Sequence, residues 1–371
     1  MKSRPGILLV IIGLLFVIEN NDLNAQVLKD TASFELIKKG VDYIYNFRFN
    51  EAKGVYEKLN SLYPEHPVVI LFRGMIGYWE NYPLLPSSKE CGVFEDNLRK
   101  SIQLCQASDK PDDEAEILVT SLCARGLLLL FYSDNDMSLE VFPLVTSTYP
   151  LIRKSFRFRG TYPDFYFFTG LYNYYREAYP EFNPVYRPLA ALFPKGDKML
   201  GIKEMQVASG KSIVLKAESF SFLSSIYLGY ENNFEKAVYY SRLRYELYPN
   251  NLQYIADYIK NLLLLKKYDD AEKLLKTTTE TSANQYFIAQ SLIFNGILQE
   301  KKYHNNQQAE ILYNKGARAV SAFGPYGNEY LSYAYFGLSR ISSDSGERQY
   351  KRTYRKLALK LTHYRKIDFD D

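Results

Sequence analysis

The chain repeats itself at an interval of thirty-four residues. Phe234-Glu235-Lys236-Ala237 recurs as Tyr268-Asp269-Asp270-Ala271. Twelve residues before each alanine lies the middle of an apolar helical run, at Ser225 in SFLSSIYLGY and at Ile259 in YIADYIKNLL. Such a period is one unit of two helices and a turn, which buries its apolar faces only by stacking on copies of itself. Pro249, twelve residues after Ala237, marks the end of the second helix.

Numbering each unit from 1 to 34 puts small residues at 8, 20 and 27 and a proline near 32, because a large side chain where helices cross would hold the backbones apart. A first unit from Ser33 fits this with Gly40, Ala52 and Pro64, alongside Tyr43 and Tyr56. A third, near Val119, fits with Gly126, Ser138, Phe142, Val145 and Pro150, and Pro143 is expected to delay or kink its second helix. The second unit has Gly74 and then VFEDNLRKSIQLC, with Leu98, Ile102 and Cys105 on one stripe, so Asn81 to Cys91 is read as an insertion. In the fourth, Gly170 and Gly201 are separated by Pro180, Pro184, Pro188 and Pro194, a density of proline that predicts no helix over about 180–194. Units five and six are the opening pair, and a seventh holds Gly296, Ala309, Tyr313 and Gly316. A last pair, about 328–342 and 347–365, keeps Gly337 and is expected to cap the array.

This pattern resembles the tetratricopeptide repeat (TPR). The expected fold is all-α, a TPR-type α-solenoid of about seven or eight antiparallel helix pairs, and the resemblance implies a right-handed superhelix. A narrower resemblance covers about 160–250: Gly170-Leu171-Tyr172, the loop from Pro180 to Pro194, and Gly196-Asp197 with Gly201-Ile202. That order is similar to exported bacterial TPR proteins of unassigned role and, distantly, to the eukaryotic inclusion-body-clearance TPR family. The resemblance brings no catalytic residues with it.

The first 25 residues read as a signal peptide: Lys2 and Arg4, a twelve-residue apolar run from Ile7 to Ile18 broken only by Gly13, and an Ala25–Gln26 junction. Leu23 is large for the position three before that junction, which leaves an uncleaved anchor as the alternative. No cysteine stands near the junction, so a lipoprotein is not expected. The remainder, 26–371, is read as one solenoid domain, exported to the periplasm or associated with the envelope. Of the three cysteines, Cys105 and Cys123 fall on apolar helical positions and read as buried small hydrophobes, with a disulfide between them as the alternative.

The formal charge of +4 is small for 371 residues and argues against nucleic acid as a partner. The three histidines stand far apart, and no metal-spaced cluster, nucleophile motif or phosphate loop occurs. No enzyme, cofactor or metal is expected. Asp112-Asp113-Glu114 reads as a helix N-cap and Asp368 to Asp371 as a solvated tail.

The first helix of each TPR pair lines the concave face, and here those positions are apolar and aromatic: Tyr45, Tyr78 and Trp79, then Phe167, Leu171, Tyr174 and Tyr175, then Phe222 and Tyr230. The functional expectation is a scaffold that binds a protein or peptide partner there. The alternatives are an enclosed aromatic cavity for a small ligand or lipid, and a groove filled as ordinary core by the loops at 81–91 and 180–194 or by a neighbouring helix. Lys260 and Asn261 hint at a carboxylate clamp. A C-terminal helix, about 347–366, pairs an apolar stripe of Tyr350, Tyr354, Leu357, Leu361 and Tyr364 with Lys351, Arg352, Arg355 and Lys356. It reads as a solubilising cap or as a peripheral contact with anionic membrane.

Overall fold

Among the described residues, each apolar run seen in the sequence folds as a helix, and helix follows helix in adjacent pairs. The computed structural model describes residues 27–108, 113–362, 367 and 369. The segment read as a signal peptide with its Ala25–Gln26 junction, Asp112, residues 363–366 of the expected basic helix and most of the acidic tail lie outside the described residues. The first four pairs are α1 (Thr31–Tyr45) with α2 (Phe49–Leu62), α3 (Pro67–Glu80) with α4 (Lys89–Ala107), α5 (Glu114–Asp134) with α6 (Ser138–Ser155), and α7 (Phe165–Phe182) with α8 (Lys198–Lys211). The next four are α9 (Lys216–Gly229) with α10 (Phe234–Leu247), α11 (Leu252–Leu264) with α12 (Tyr268–Thr281), α13 (Gln285–Lys301) with α14 (Asn306–Val320), and α15 (Asn328–Asp344) with α16 (Arg348–Leu361). No strand occurs among the described residues. Partners pack on one another, and first helices also touch across pairs, α1 on α3 on α5 and α11 on α13 on α15. This is the arrangement of an α-solenoid.

The turn inside a pair has one recurring backbone. Phe47, Asn232, Lys266 and His304 all take positive φ, between 53° and 57°, each five residues before a fully buried alanine: Ala52, Ala237, Ala271 and Ala309. The left-handed residue reverses the chain, and the alanine then sits where the helices cross. In the fifth pair the facing small residue is Ser224, whose hydroxyl donates to the Ala237 carbonyl at 2.9 Å, while the expected Ser225 is exposed. The closest crossing joins α7 and α8. A Cβ on Gly170 would lie 2.9 Å from the Gly201 oxygen, and one on Gly201 would lie 2.7 Å from the Gly170 oxygen.

The third pair departs from its expected register. Nothing lies within 4 Å of where a Gly126 Cβ would stand, so that glycine marks no crossing. Phe142 and Val145 are exposed, and α6 turns Thr148 and Ser155 inward instead. The helix also runs unbroken through Pro143 and Pro150, both on its exposed face, where a carbonyl left without its N–H partner remains open to solvent. Likewise Pro180 lies inside α7, and a single helical turn, Arg187–Ala190, survives in the proline-rich connection. Asp113 makes no side-chain cap. The neighbouring Glu114 pairs instead with Lys154 at 2.6 Å and Arg157 at 3.5 Å.

The stack curls until its ends meet. Asn251 donates its side-chain amide to the Tyr45 carbonyl at 3.2 Å, and Asn135 reaches the Tyr326 hydroxyl at 3.4 Å. First helices of the early pairs therefore face those of the late pairs across the interior. The start of the described chain is tied in by Glu116, which accepts from the Val27 N–H at 3.0 Å and the Leu28 N–H at 2.9 Å. Burial pushes the Glu116 carboxyl up to about 7 and lowers the adjacent His66 imidazole to about 4.

Candidate functional site

Three of the aromatic residues read as groove lining are packed against the far side of the molecule. The Tyr45 ring lies 5.6 Å from Trp79, 5.2 Å from Tyr248 and 6.2 Å from Tyr254. Trp79 in turn stacks on Tyr82 of the loop after α3 at 5.4 Å, and Tyr82 meets Tyr326 at 5.4 Å and Tyr286 at 6.3 Å. Tyr45, Tyr78 and Trp79 are all buried, so here loop 81–88 and the late pairs fill the concave face. The packed rings bury large apolar area and fix their geometry edge to face.

Charge sits inside this tyrosine cluster. Tyr45 donates its hydroxyl to Glu218, and burial pushes that carboxyl up to about 7. Asp134, 3.5 Å from the Tyr78 hydroxyl, is likewise raised by burial to about 7. Next to them runs a continuous ion network: Arg244 to Asp257 at 2.6 Å, Lys260 to Asp257 at 3.4 Å and to Glu329 at 3.0 Å, with Tyr333 donating to Glu329. Burial alone would raise Asp257, but Lys260 and Arg244 more than offset it and hold the carboxyl below the usual range. Lys260 is thus spent within the protein. Asn261 is spent as well, donating to the Ser224 hydroxyl at 3.0 Å. Neither is available as a carboxylate clamp. The network comes from helices far apart in the chain, and only a charged residue on an apolar helix face, such as Asp257 or Lys260 in YIADYIKNLL, could have signalled it.

The second group behaves differently. Phe167 and Tyr174 are buried, and Tyr174 donates to Glu231 at 2.6 Å. Leu171, Tyr175, Phe222 and Tyr230 are only partly buried. Tyr175 meets Tyr230 at 5.4 Å and Phe222 at 6.3 Å, and Phe182, at the end of α7, covers Tyr230 at 4.8 Å. On α7 and α9 these four side chains form a partly buried apolar and aromatic surface.

The chain's own end packs nearby. Phe369 is buried against Tyr333 at a ring distance of 5.1 Å, and Ile367 packs against both the α7–α10 core and the α11–α15 core. Part of the tail expected to be solvated is therefore held in the interior by two apolar side chains. The basic helix is also turned from its expected stripe. Ala358 is its buried residue and Tyr354 stacks on Tyr335 at 6.1 Å, while Tyr350 and Leu357 are exposed. The Ser339 hydroxyl bonds the Lys351 carbonyl at 3.0 Å and the Lys351 ammonium bonds Ser343 at 2.7 Å, which sets that rotation. Arg352, Arg355 and Lys356 remain exposed.

Cys91, Cys105 and Cys123 are free thiols, and burial pushes Cys105 up to about 12, so none resembles a reactive thiolate. An apolar cavity of about 30 Å³ lies between Ile37, Val41, Leu71, Met75 and Val214, with the Tyr162 hydroxyl unpartnered at its wall. That volume holds about one water molecule. No family model, curated protein or solved structure matches the chain.

Proposed function

We propose that this chain is an exported, non-catalytic scaffold of the TPR type, a right-handed solenoid working in the periplasm or envelope and binding an extended segment of a partner protein. The binding surface in this reading is the partly buried apolar and aromatic face of α7 and α9, Leu171, Tyr175, Phe222 and Tyr230, continuing toward α11 and α15. One observation carries it: Phe369 packs on Tyr333 of α15, and Ile367, two residues earlier, packs against both the α7–α10 and the α11–α15 cores, as an aliphatic–aromatic pair. A surface that accepts its own tail through two apolar anchors is suited to a partner segment of the same kind. The buried rings of Tyr45, Tyr78 and Trp79 support the site as a rigid base.

The test uses the full chain. Phe369→Ala should loosen the tail, and a fluorescent peptide spanning residues 363–371 should then bind in trans at least tenfold more tightly than to wild type. Tyr175→Ala in the Phe369→Ala background should abolish that gain. Equal weak binding to all three proteins would remove the concave face as the site.

A further inference from the structure

The most exposed of the large apolar side chains fall in one stretch of the chain. Among the described residues, the large apolar side chains more than 60% exposed are Leu139 (87%), Val185 (80%), Leu192 (78%), Phe142 (67%) and Met199 (66%), and all fall between α6 and the start of α8. Phe142, Val145 and Tyr149 follow one another at helical spacing along α6. Tyr149 then meets Phe193 of the proline-rich connection at 4.6 Å, which puts Leu192 at the end of the same ridge. The connection is fastened to α7 by the Tyr172 hydroxyl on the Pro194 carbonyl at 2.7 Å and by Arg176 on the Phe193 carbonyl at 3.0 Å. The ridge is a fixed feature of the surface.

Its exposed charges are mostly basic, with the half-buried Glu140, between Leu139 and Phe142 on α6, as the carboxylate on that helix. Arg153, Arg187 and Lys195 border it, are exposed, and form no ion pair among the described residues. The carboxylates of α7 and the connection are engaged: Glu181 with Lys198 at 2.7 Å, Glu177 on the Gly196 N–H at 2.8 Å, and Asp197 on the Leu200 N–H at 3.0 Å. Side chains standing this far clear of their neighbours make a projecting ridge and leave no socket of the kind that anchors a protein partner. Exposed Leu, Phe, Val and Met bordered by exposed Arg and Lys match the chemistry of a bilayer interface, where apolar tips enter the acyl boundary and cations meet phosphate.

We propose that this ridge docks the protein on an anionic phospholipid surface, independently of the concave face. Full-length protein should float with phosphatidylglycerol–phosphatidylcholine vesicles at low salt, and much less with pure phosphatidylcholine. Phe142→Glu with Leu192→Glu should abolish flotation at an unchanged melting temperature, because both side chains are exposed. Replacing Arg153, Arg187 and Lys195 by Ala should weaken binding roughly a hundredfold. No flotation of wild type overturns the proposal. So does flotation that survives both variants and is lost with Arg352→Glu, Arg355→Glu and Lys356→Glu, which moves the contact to α16. A dimer that Phe142→Glu disrupts, without vesicle binding, also overturns it by making the ridge an interface between copies.

Discussion

Tyr45 and Glu218 meet although 173 residues of chain separate them, and their bond places an ionisable group where water has little access. Because burial raises the Glu218 carboxyl to about 7, the folded state holds a proton there that the unfolded chain releases above its ordinary carboxylate range. Its stabilisation is complete in acid and is lost as pH rises through about 7. Asp134 and Glu116 act in the same direction, and His66, kept neutral down to about 4, opposes them. Unfolding stability should therefore decline by on the order of 2 kcal/mol for Glu218 alone between pH 5 and pH 8. Glu218→Gln should flatten that decline in urea titrations at the two pH values; an unchanged slope would assign it elsewhere. Burial also separates two adjacent tyrosines. Tyr174→Ala should cost about 3–5 kcal/mol as a core truncation, while the partly buried Tyr175 should cost clearly less and affect binding instead. At the crossing of α9 and α10, fully buried Ala237 leaves no room for growth. Ala237→Leu should cost roughly 1–3 kcal/mol.

Helix pairs were legible in the sequence wherever a small residue sits at a real crossing. Ala52, Ala237, Ala271 and Ala309 did so, and their pairs stand where the thirty-four-residue register put them. Gly126 and Ser138 fit the same register, yet Gly126 meets no neighbour and Ser138 is exposed, so spacing alone misread the third pair. The recurring turn was not legible at all. Its left-handed residue is Phe47, Asn232, Lys266 or His304, so no glycine announced it, and tertiary packing imposes the conformation. Lys266→Gly should relieve that strain and raise stability by about 0.5–1 kcal/mol, after allowing for the flexibility glycine adds to the unfolded chain. Thermal melts of the variant check this, and a lowered midpoint would show that the lysine stem contributes more than the strain costs.

At the scale of the whole molecule, the candidate site divides along a line no local pattern could reveal. The first-helix residues Tyr45 and Trp79 are packed in the interior, and what covers them arrives from late in the chain: Tyr248 and Tyr254 directly, and Tyr286 and Tyr326 through Tyr82. Period and composition describe contacts between neighbouring pairs, whereas closure of the curl depends on small rotations accumulated over all of them. Tyr82 tests that closure directly, because its ring joins Trp79 of the second pair to Tyr286 of α13 and to Tyr326 before α15. In an open stack, Tyr82→Ala would loosen only the second and third pairs. In the closed molecule it removes a strut between both ends and should cost about 3 kcal/mol. Hydrogen exchange should then quicken in α3 and, to a similar degree, in α13 and the segment before α15, with α9 and α10 less affected. Exchange confined to α3, α4 and α5 would mean that the two ends touch without supporting one another.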